Sequence, residues 1–322
     1  MDDWYWLRDR DNPEVLRYLE EENRWAEVTM TSTATLRDAL FEEIRSRIQE
    51  TDVGPPVGHG PWWYYTRTSE GLQYAIHCRR TRQAPDQPAA AALADGAEET
   101  VVLDENALAA GHDYFRLGAL DLSPDHTIAA YSTDFDGDEV FTMRFRDVAA
   151  GADLEDAIPG TYYGTAWSAD GTRLFYTTVD PAMRPWRVHR HRVGTPATAD
   201  VLVYQEDDEH FHVGLGTTRS RAWVVIGSGS MVTSEVSVVP AAEPDAGPRV
   251  VVPRRHGVEY DVDHQGDRFL LVTNDEAENF RLVEAPVDDP RRENWRELVP
   301  HRPDVRLLGV DAFARHLVLH ER

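Results

Sequence analysis

The chain has 322 residues, 28% charged and 10% aromatic, with a formal net charge of −24 at pH 7. That length can bury a large core, and the composition is globular rather than disordered. The acidity disfavours nucleic acid and anionic membrane surfaces, which carry the same sign, and suits a cationic ligand. A solubilising surface is the simpler account of it.

The first fifty residues read as helical. Asn12-Pro13-Glu14 combines a capping residue, a proline at the first turn and an acid at the positive end of a helix dipole. A helix through about Val28 follows, carrying Val15, Leu19 and Trp25. A second starts near Thr35, with Asp38 at capping-box spacing. Its residues Leu36, Leu40, Phe41, Ile44 and Ile48 form one apolar stripe that requires a partner surface. The run from Gly54 to Pro61 holds three glycines and three prolines in eight residues, a breaker cluster. It separates a helical segment, 1–53, from a strand-rich domain, 54–322.

Within that second domain, 62–67 and 73–79 read as a hairpin turning at Glu70-Gly71. An Ala- and Pro-rich insertion, 84–97, reads as a surface loop. A pattern then recurs: a short polar turn, followed by a strand of apolar and β-branched residues. Its fullest copy is Ser168-Ala169-Asp170-Gly171 leading into Leu174-Phe175-Tyr176-Thr177. The strands begin at 128, 174, 223, 269 and 317, giving gaps of 46, 49, 46 and 48. A period of about 40 to 50 residues built from short strands marks a β-propeller with four strands to a blade. One such sheet cannot bury both faces alone, but a radial stack can. The expected fold is mainly β: a propeller of five blades and the start of a sixth, preceded by two α-helices. Blade two is expected over about 118–159, blade three over 165–205, blade four over 213–253 and blade five over 258–300.

Candidate chemistry is sparse. Asp134-Phe135-Asp136-Gly137-Asp138 lacks the spacing of an EF-hand and reads as a hairpin turn. His189 and His191 share a strand face and so could share a metal, but the flanking Arg187, Arg190 and Arg192 favour solvated or ion-paired imidazoles. Glu206-Asp207-Asp208-Glu209-His210 reads as a solvated connection, or else as part of a negative rim that draws in basic peptides. Cys78, the single cysteine, allows no internal disulfide and reads as packed. No run approaches the roughly 18 apolar residues of a membrane span, and no secretory leader is read at the start. The single cysteine makes a reducing, cytoplasmic setting the expectation. A G-x-S-x-G turn is missing: Gly227-Ser228-Gly229-Ser230 has the wrong spacing, and Gly160 to Gly164 holds no serine. From these residues no catalytic, metal or cofactor-binding side chain is assigned.

Several runs resemble the prolyl oligopeptidase family of serine peptidases (S9), and its oligopeptidase B (protease II) branch in particular. They include Asp2-Asp3-Trp4-Tyr5-Trp6-Leu7-Arg8-Asp9, Trp63-Tyr64-Tyr65-Thr66-Arg67, His77-Cys78-Arg79-Arg80, Gly111-His112-Asp113-Tyr114, Gly257-Val258-Glu259-Tyr260 and Asn279-Phe280-Arg281-Leu282. The resemblance implies a seven-bladed propeller that gates an α/β-hydrolase domain, with hydrolysis of short peptides after Arg or Lys. It implies that the N-terminal helices pack on that hydrolase. It also places the Ser-Asp-His triad beyond residue 322, so the chain reads as the N-terminal portion of such an enzyme, inactive alone. A self-contained propeller acting as a binding scaffold is the rival expectation.

Overall fold

The computed structural model describes residues 2–84, 86–89, 93 and 98–322. Most of the 84–97 insertion thus lies outside the described residues. The chain divides into two compact units, one made of Met1–Gly54 with Arg67–Leu72, the other of Pro55–Thr66 with Gln73–Arg322.

In the first unit, helix α1 (Pro13–Met30) starts where its sequence signals put it. The Asn12 side chain accepts from the Glu14 amide at 2.9 Å, and Pro13 occupies the first turn. Helix α2 (Ala34–Ser46) starts differently from expectation. Its N-cap position is Thr33, which makes no side-chain cap; Thr35 lies inside the helix, and Asp38 is engaged by Arg37 at 2.9 Å. Of α1, only Val15 is buried, and of α2, nothing. Leu36, Leu40, Phe41, Ile44 and Ile48 all stay exposed, as do Leu16, Leu19, Trp25 and Val28. The loop that leaves α2 is tied down by Thr68, whose amide donates to the Asp52 carbonyl and whose hydroxyl donates to the Glu50 carbonyl.

The second unit is a succession of antiparallel meanders. Strands β1 (Val57–His59), β2 (Trp62–Arg67), β3 (Ile76–Thr81) and β4 (Thr100–Asp104) form the first sheet, in that order. After the short helix α3 (Glu105–Ala109) come β5 (Arg116–Leu122), β6 (Ile128–Asp134), β7 (Phe141–Asp147), β8 (Ala152–Trp167), β9 (Arg173–Val179), β10 (Pro185–Arg192) and β11 (Val201–Gln205). They make one seven-stranded sheet, because β8 is 16 residues long and continuous. Its first half pairs with β7 (Asp147 opposite Ala152), and its second half pairs with β9 (Trp167 opposite Leu174). The break expected after Pro159 does not occur. Pro159 lies inside β8, next to Gly160 at φ +76°, at a register shift where a missing N–H is tolerated. Next come two four-stranded sheets: β12 (His212–Thr217), β13 (Trp223–Gly229), β14 (Ser234–Pro240), β15 (Arg249–Val252), and β16 (Tyr260–Gln265), β17 (Arg268–Thr273), β18 (Arg281–Pro286), β19 (Arg296–Val299). The hairpin β20 (Leu307–Ala312) and β21 (Leu317–Glu321) ends the chain.

Burial on both faces of each sheet explains the continuous apolar runs. On β17, Phe269 and Leu271 pack with Val236, Val238 and Val283 of one neighbourhood; Leu270 and Val272 pack with Leu282, Leu307 and Ala312 of the next. Likewise Leu174 and Tyr176 face Met143, Phe145 and Ile158, while Phe175 faces Val188, Val213, Val224 and Ile226. Period-2 alternation thus sends successive side chains into successive inter-sheet layers. This stack is what brings the turns after β5, β8, β12 and β16 into one region.

Candidate functional site

The turns that follow these four strands share one construction. Ser123 Oγ donates to Asp125 Oδ1 at 2.6 Å and accepts from the Ile128 amide at 2.9 Å. Ser168 repeats both contacts with Asp170 and the Arg173 amide, at 2.6 and 3.0 Å. In the third copy Thr218 and Ser220 pair their hydroxyls at 2.9 Å. The fourth residue of each turn has positive φ: His126 (+63°), Gly171 (+67°) and Arg221 (+57°), with Gly266 (+67°) in the corresponding turn after β16. Glycine is the ordinary occupant of that left-handed conformation. Arginine is not, and histidine, though better tolerated there than most side chains, is still uncommon.

His126 and Arg221 both belong to one neighbourhood. An open pocket of about 560 Å³ is lined by Val57, Gly58 and His59 of β1, Tyr64, the 120–122 end of β5, and Thr217, Thr218, Arg219 and Arg221. His126 braces its wall: the Tyr64 hydroxyl and His126 Nδ1 are 2.9 Å apart, and the His59 ring stands edge-on to it, centroids 4.5 Å apart. Gly60 completes the brace, since a Cβ there would sit 2.5 Å from His126 Nε2. A second pocket of about 370 Å³ adjoins through Thr217 and Arg219 and adds Asp261, Asp263 and Asp311.

The electrostatics are mixed. Burial pushes the His59 pKa down to about 4, and the neighbouring Arg221 and His126 push the same way. His59 is therefore neutral at pH 7. Burial raises the Asp121 carboxyl, against the pull of Arg221 and a weak Thr165 contact at 3.4 Å. Burial alone raises Asp261. Arg219 has partners: Asp311 at 3.4 Å and the Phe313 ring at 3.8 Å. Among the described residues the Arg221 guanidinium makes neither a hydrogen bond nor an ion pair, and the residue is exposed.

The residues singled out from sequence fall elsewhere. Asp134 does hold a hairpin turn, accepting from the amides of Asp136, Gly137 and Glu139. His191 is not solvated: it is fully buried between two carboxyls, with Nδ1 2.7 Å from Asp200 and Nε2 3.3 Å from Asp156. His189 instead stacks on Tyr176, centroids 5.3 Å apart, so the two imidazoles address different partners. Glu206 departs most from a solvated loop. It is buried, accepts from the Ser228 hydroxyl at 2.6 Å, and is engaged by Arg254 and Tyr204. Its neighbours Asp207, Asp208, Glu209 and His210 are exposed. Ser228 is thereby committed to a structural contact. Cys78 is packed, 1% exposed, with Tyr65 and Ile76. Arg221 and His126 were missed. Their signal was available, as non-glycine residues at a turn position filled by glycine in sister repeats.

Successive antiparallel meanders packed face to face, with the turns after β5, β8, β12 and β16 in one region, are the architecture of a β-propeller domain. The sequence matches the description "Prolyl oligopeptidase, N-terminal beta-propeller domain" over residues 1–322. Dipeptidyl aminopeptidase BI of Pseudoxanthomonas mexicana is 40% identical over all of this chain and 45% of its own length. Protease 2 of Moraxella lacunata is 37% identical over 89% of this chain and 41% of its own length. The structure of oligopeptidase B from Leishmania major superposes with a TM-score of 0.91 at 30% identity, covering 100% of this chain and 44% of that one. The chain belongs to the prolyl oligopeptidase family, S9, as its N-terminal propeller domain. It spans less than half the length of these relatives.

Proposed function

We propose that this chain is the substrate-gating part of an oligopeptidase B-like serine endopeptidase that cuts short peptides after Arg or Lys. In this reading the propeller comprises five blades and the opening of a sixth, admits only small substrates, and carries no bond-making group. Hydrolysis belongs to a C-terminal α/β-hydrolase domain outside this chain, where a serine attacks the scissile carbonyl and a histidine takes its proton. The exposed stripe of Leu36, Leu40, Phe41, Ile44 and Ile48 is the surface that the hydrolase covers. The observation that carries the reading is the likeness to protease 2 over 89% of this chain and to oligopeptidase B over all of it. The net charge of −24 and the carboxyls of Asp121 and Asp261 at the pockets favour basic substrates by steering.

A second reading follows from the 40% identity to a dipeptidyl aminopeptidase: removal of dipeptides from a free N-terminus. One experiment separates them. The chain is joined to the hydrolase portion of the Moraxella protease, and blocked and unblocked chromogenic peptides ending in Arg, Lys or Pro are compared. Cleavage of N-terminally blocked Arg and Lys substrates supports the endopeptidase. Cleavage that requires a free amine two residues from the bond supports the second reading. Preference for Pro contradicts the first.

A further inference from the structure

We propose that the pocket around Arg221 is a subsite for the C-terminal carboxylate of a short peptide. Three observations converge on it. The first is conformational. Four sister turns place a residue at positive φ, two use glycine, and Arg221 keeps a long side chain there at φ +57°. Such a residue, where a sister repeat uses glycine, points to a task for its side chain. The second is that no hydrogen bond or ion pair among the described residues ties the side chain down, although the Asp121 carboxyl on the same wall feels its charge. Arg219, two residues away, is held by Asp311 and Phe313, and Arg254, just beyond β15, is held by Glu206 and Glu235. The Arg221 fork has no acceptor among the described residues, although it borders a pocket of about 560 Å³. A guanidinium presents paired donors that match a carboxylate in two parallel hydrogen bonds.

The third observation concerns what surrounds it. His59 is neutral, so it adds a hydrogen-bonding ring without competing for the anion. Thr217 and Thr218 line the same wall, and among the described strands the backbone of β1 is paired on one side, with β2. An extended peptide end lying along β1 would meet free backbone groups there, and its carboxylate would meet Arg221. Asp121, on the same wall, stands where a basic side chain or amide donor of that peptide would be received. Taking a peptide as the carrier of the carboxylate rests on the peptidase reading above.

The test is calorimetric titration of the protein with acetyl-Gly-Gly-Arg as the free acid, the same peptide as the C-terminal amide, and inorganic phosphate. The free acid is expected to bind roughly tenfold more tightly than the amide, the scale of one charge-assisted pair. Arg221→Gly is expected to erase that difference while melting at or above the parent temperature, since glycine suits the turn. Arg221→Lys is expected to restore part of it. Equal affinity for acid and amide, absence of binding by both, a preference that survives Arg221→Gly, or phosphate binding more tightly than the peptide acid would each overturn the assignment. Acid-selective binding without peptide cleavage by the hydrolase-joined protein would uphold the site and sink the peptidase reading. Cleavage without acid-selective binding would do the reverse.

Discussion

His191 Nδ1 lies 2.7 Å from Asp200 Oδ1, and neither side chain meets solvent appreciably. The second Asp200 oxygen accepts from the Tyr176 hydroxyl at 2.8 Å, and the other imidazole nitrogen faces Asp156. Phe145 stacks on the His191 ring, centroids 5.2 Å apart. One carboxylate thus pins β9, β10 and the connection to β11 together. Asp200→Ala strips the acceptor from two buried donors at once. It should destabilise the protein by about 3 kcal/mol, the scale of leaving two buried hydrogen-bonding groups without their acceptor. A shift of the urea midpoint with an unchanged slope would show it. A loss below about 1 kcal/mol would mean that water replaces the carboxylate.

The positive-φ turns give a pair of opposed predictions. Arg221→Gly should stabilise by about 1 kcal/mol by relieving a left-handed non-glycine residue. Gly171→Ala should destabilise by a similar amount: φ there is +67°, and an added Cβ would make only an ordinary contact with Pro124 Cδ at 3.4 Å, so the backbone conformation sets the cost. Thermal melts of the two variants should therefore move in opposite directions from the parent.

Acid should weaken the fold through two sets of groups. Hydrogen bonds from the Ser123 and Ser168 hydroxyls hold the Asp125 and Asp170 carboxyls below their ordinary values. Their stabilisation is complete above the unfolded carboxyl pKa of about 3.9 and is lost as pH falls through the lower folded values. His59, pushed down to about 4, acts in a higher window. Between that value and about 6.5 the unfolded chain takes up a proton that the folded chain refuses, so stability drops as pH falls across the window. Asp121 and Asp261, raised by burial, act in the opposite sense and blunt the loss. Melting temperatures taken from about pH 7 to about pH 4 should decline, and His59→Gln should flatten that decline. An identical profile for the variant would remove His59 from the account.

The repeat was legible because its physical cause is local. A strand buried on both faces needs an unbroken apolar run, and a tight turn needs Asp-Gly chemistry, so Ser168 to Thr177 announces itself. The start of α1 was legible for the same reason, through Asn12 and Pro13. The continuous β8 was not. Pro159-Gly160 looks like a terminus in sequence, and only pairing with β7 and β9 on successive halves shows that the strand runs through. Nor could composition show that Glu206 is drawn inward, because its partners Ser228 and Arg254 lie in the next sheet. The Arg221 pocket is built from residues about 160 positions apart, Val57 to Arg221, which no window along the sequence joins.

The apolar stripe of α2 gives a prediction about association. Leu40→Asp with Ile44→Asp replaces exposed side chains, so the stability of this chain should change by no more than about 0.5 kcal/mol per site. The same pair should abolish recovery of activity when the chain is combined with a hydrolase domain, because it places two charges in an apolar contact. Wild-type recovery by the double variant would show that the stripe is not the contact.

The most direct measurement is turnover of a chromogenic peptide ending in Arg by this chain alone, with and without a serine-directed inhibitor. The account predicts no turnover above buffer, and inhibitor-sensitive turnover only once a hydrolase domain is joined to it. Turnover by the isolated chain that the inhibitor abolishes would contradict it.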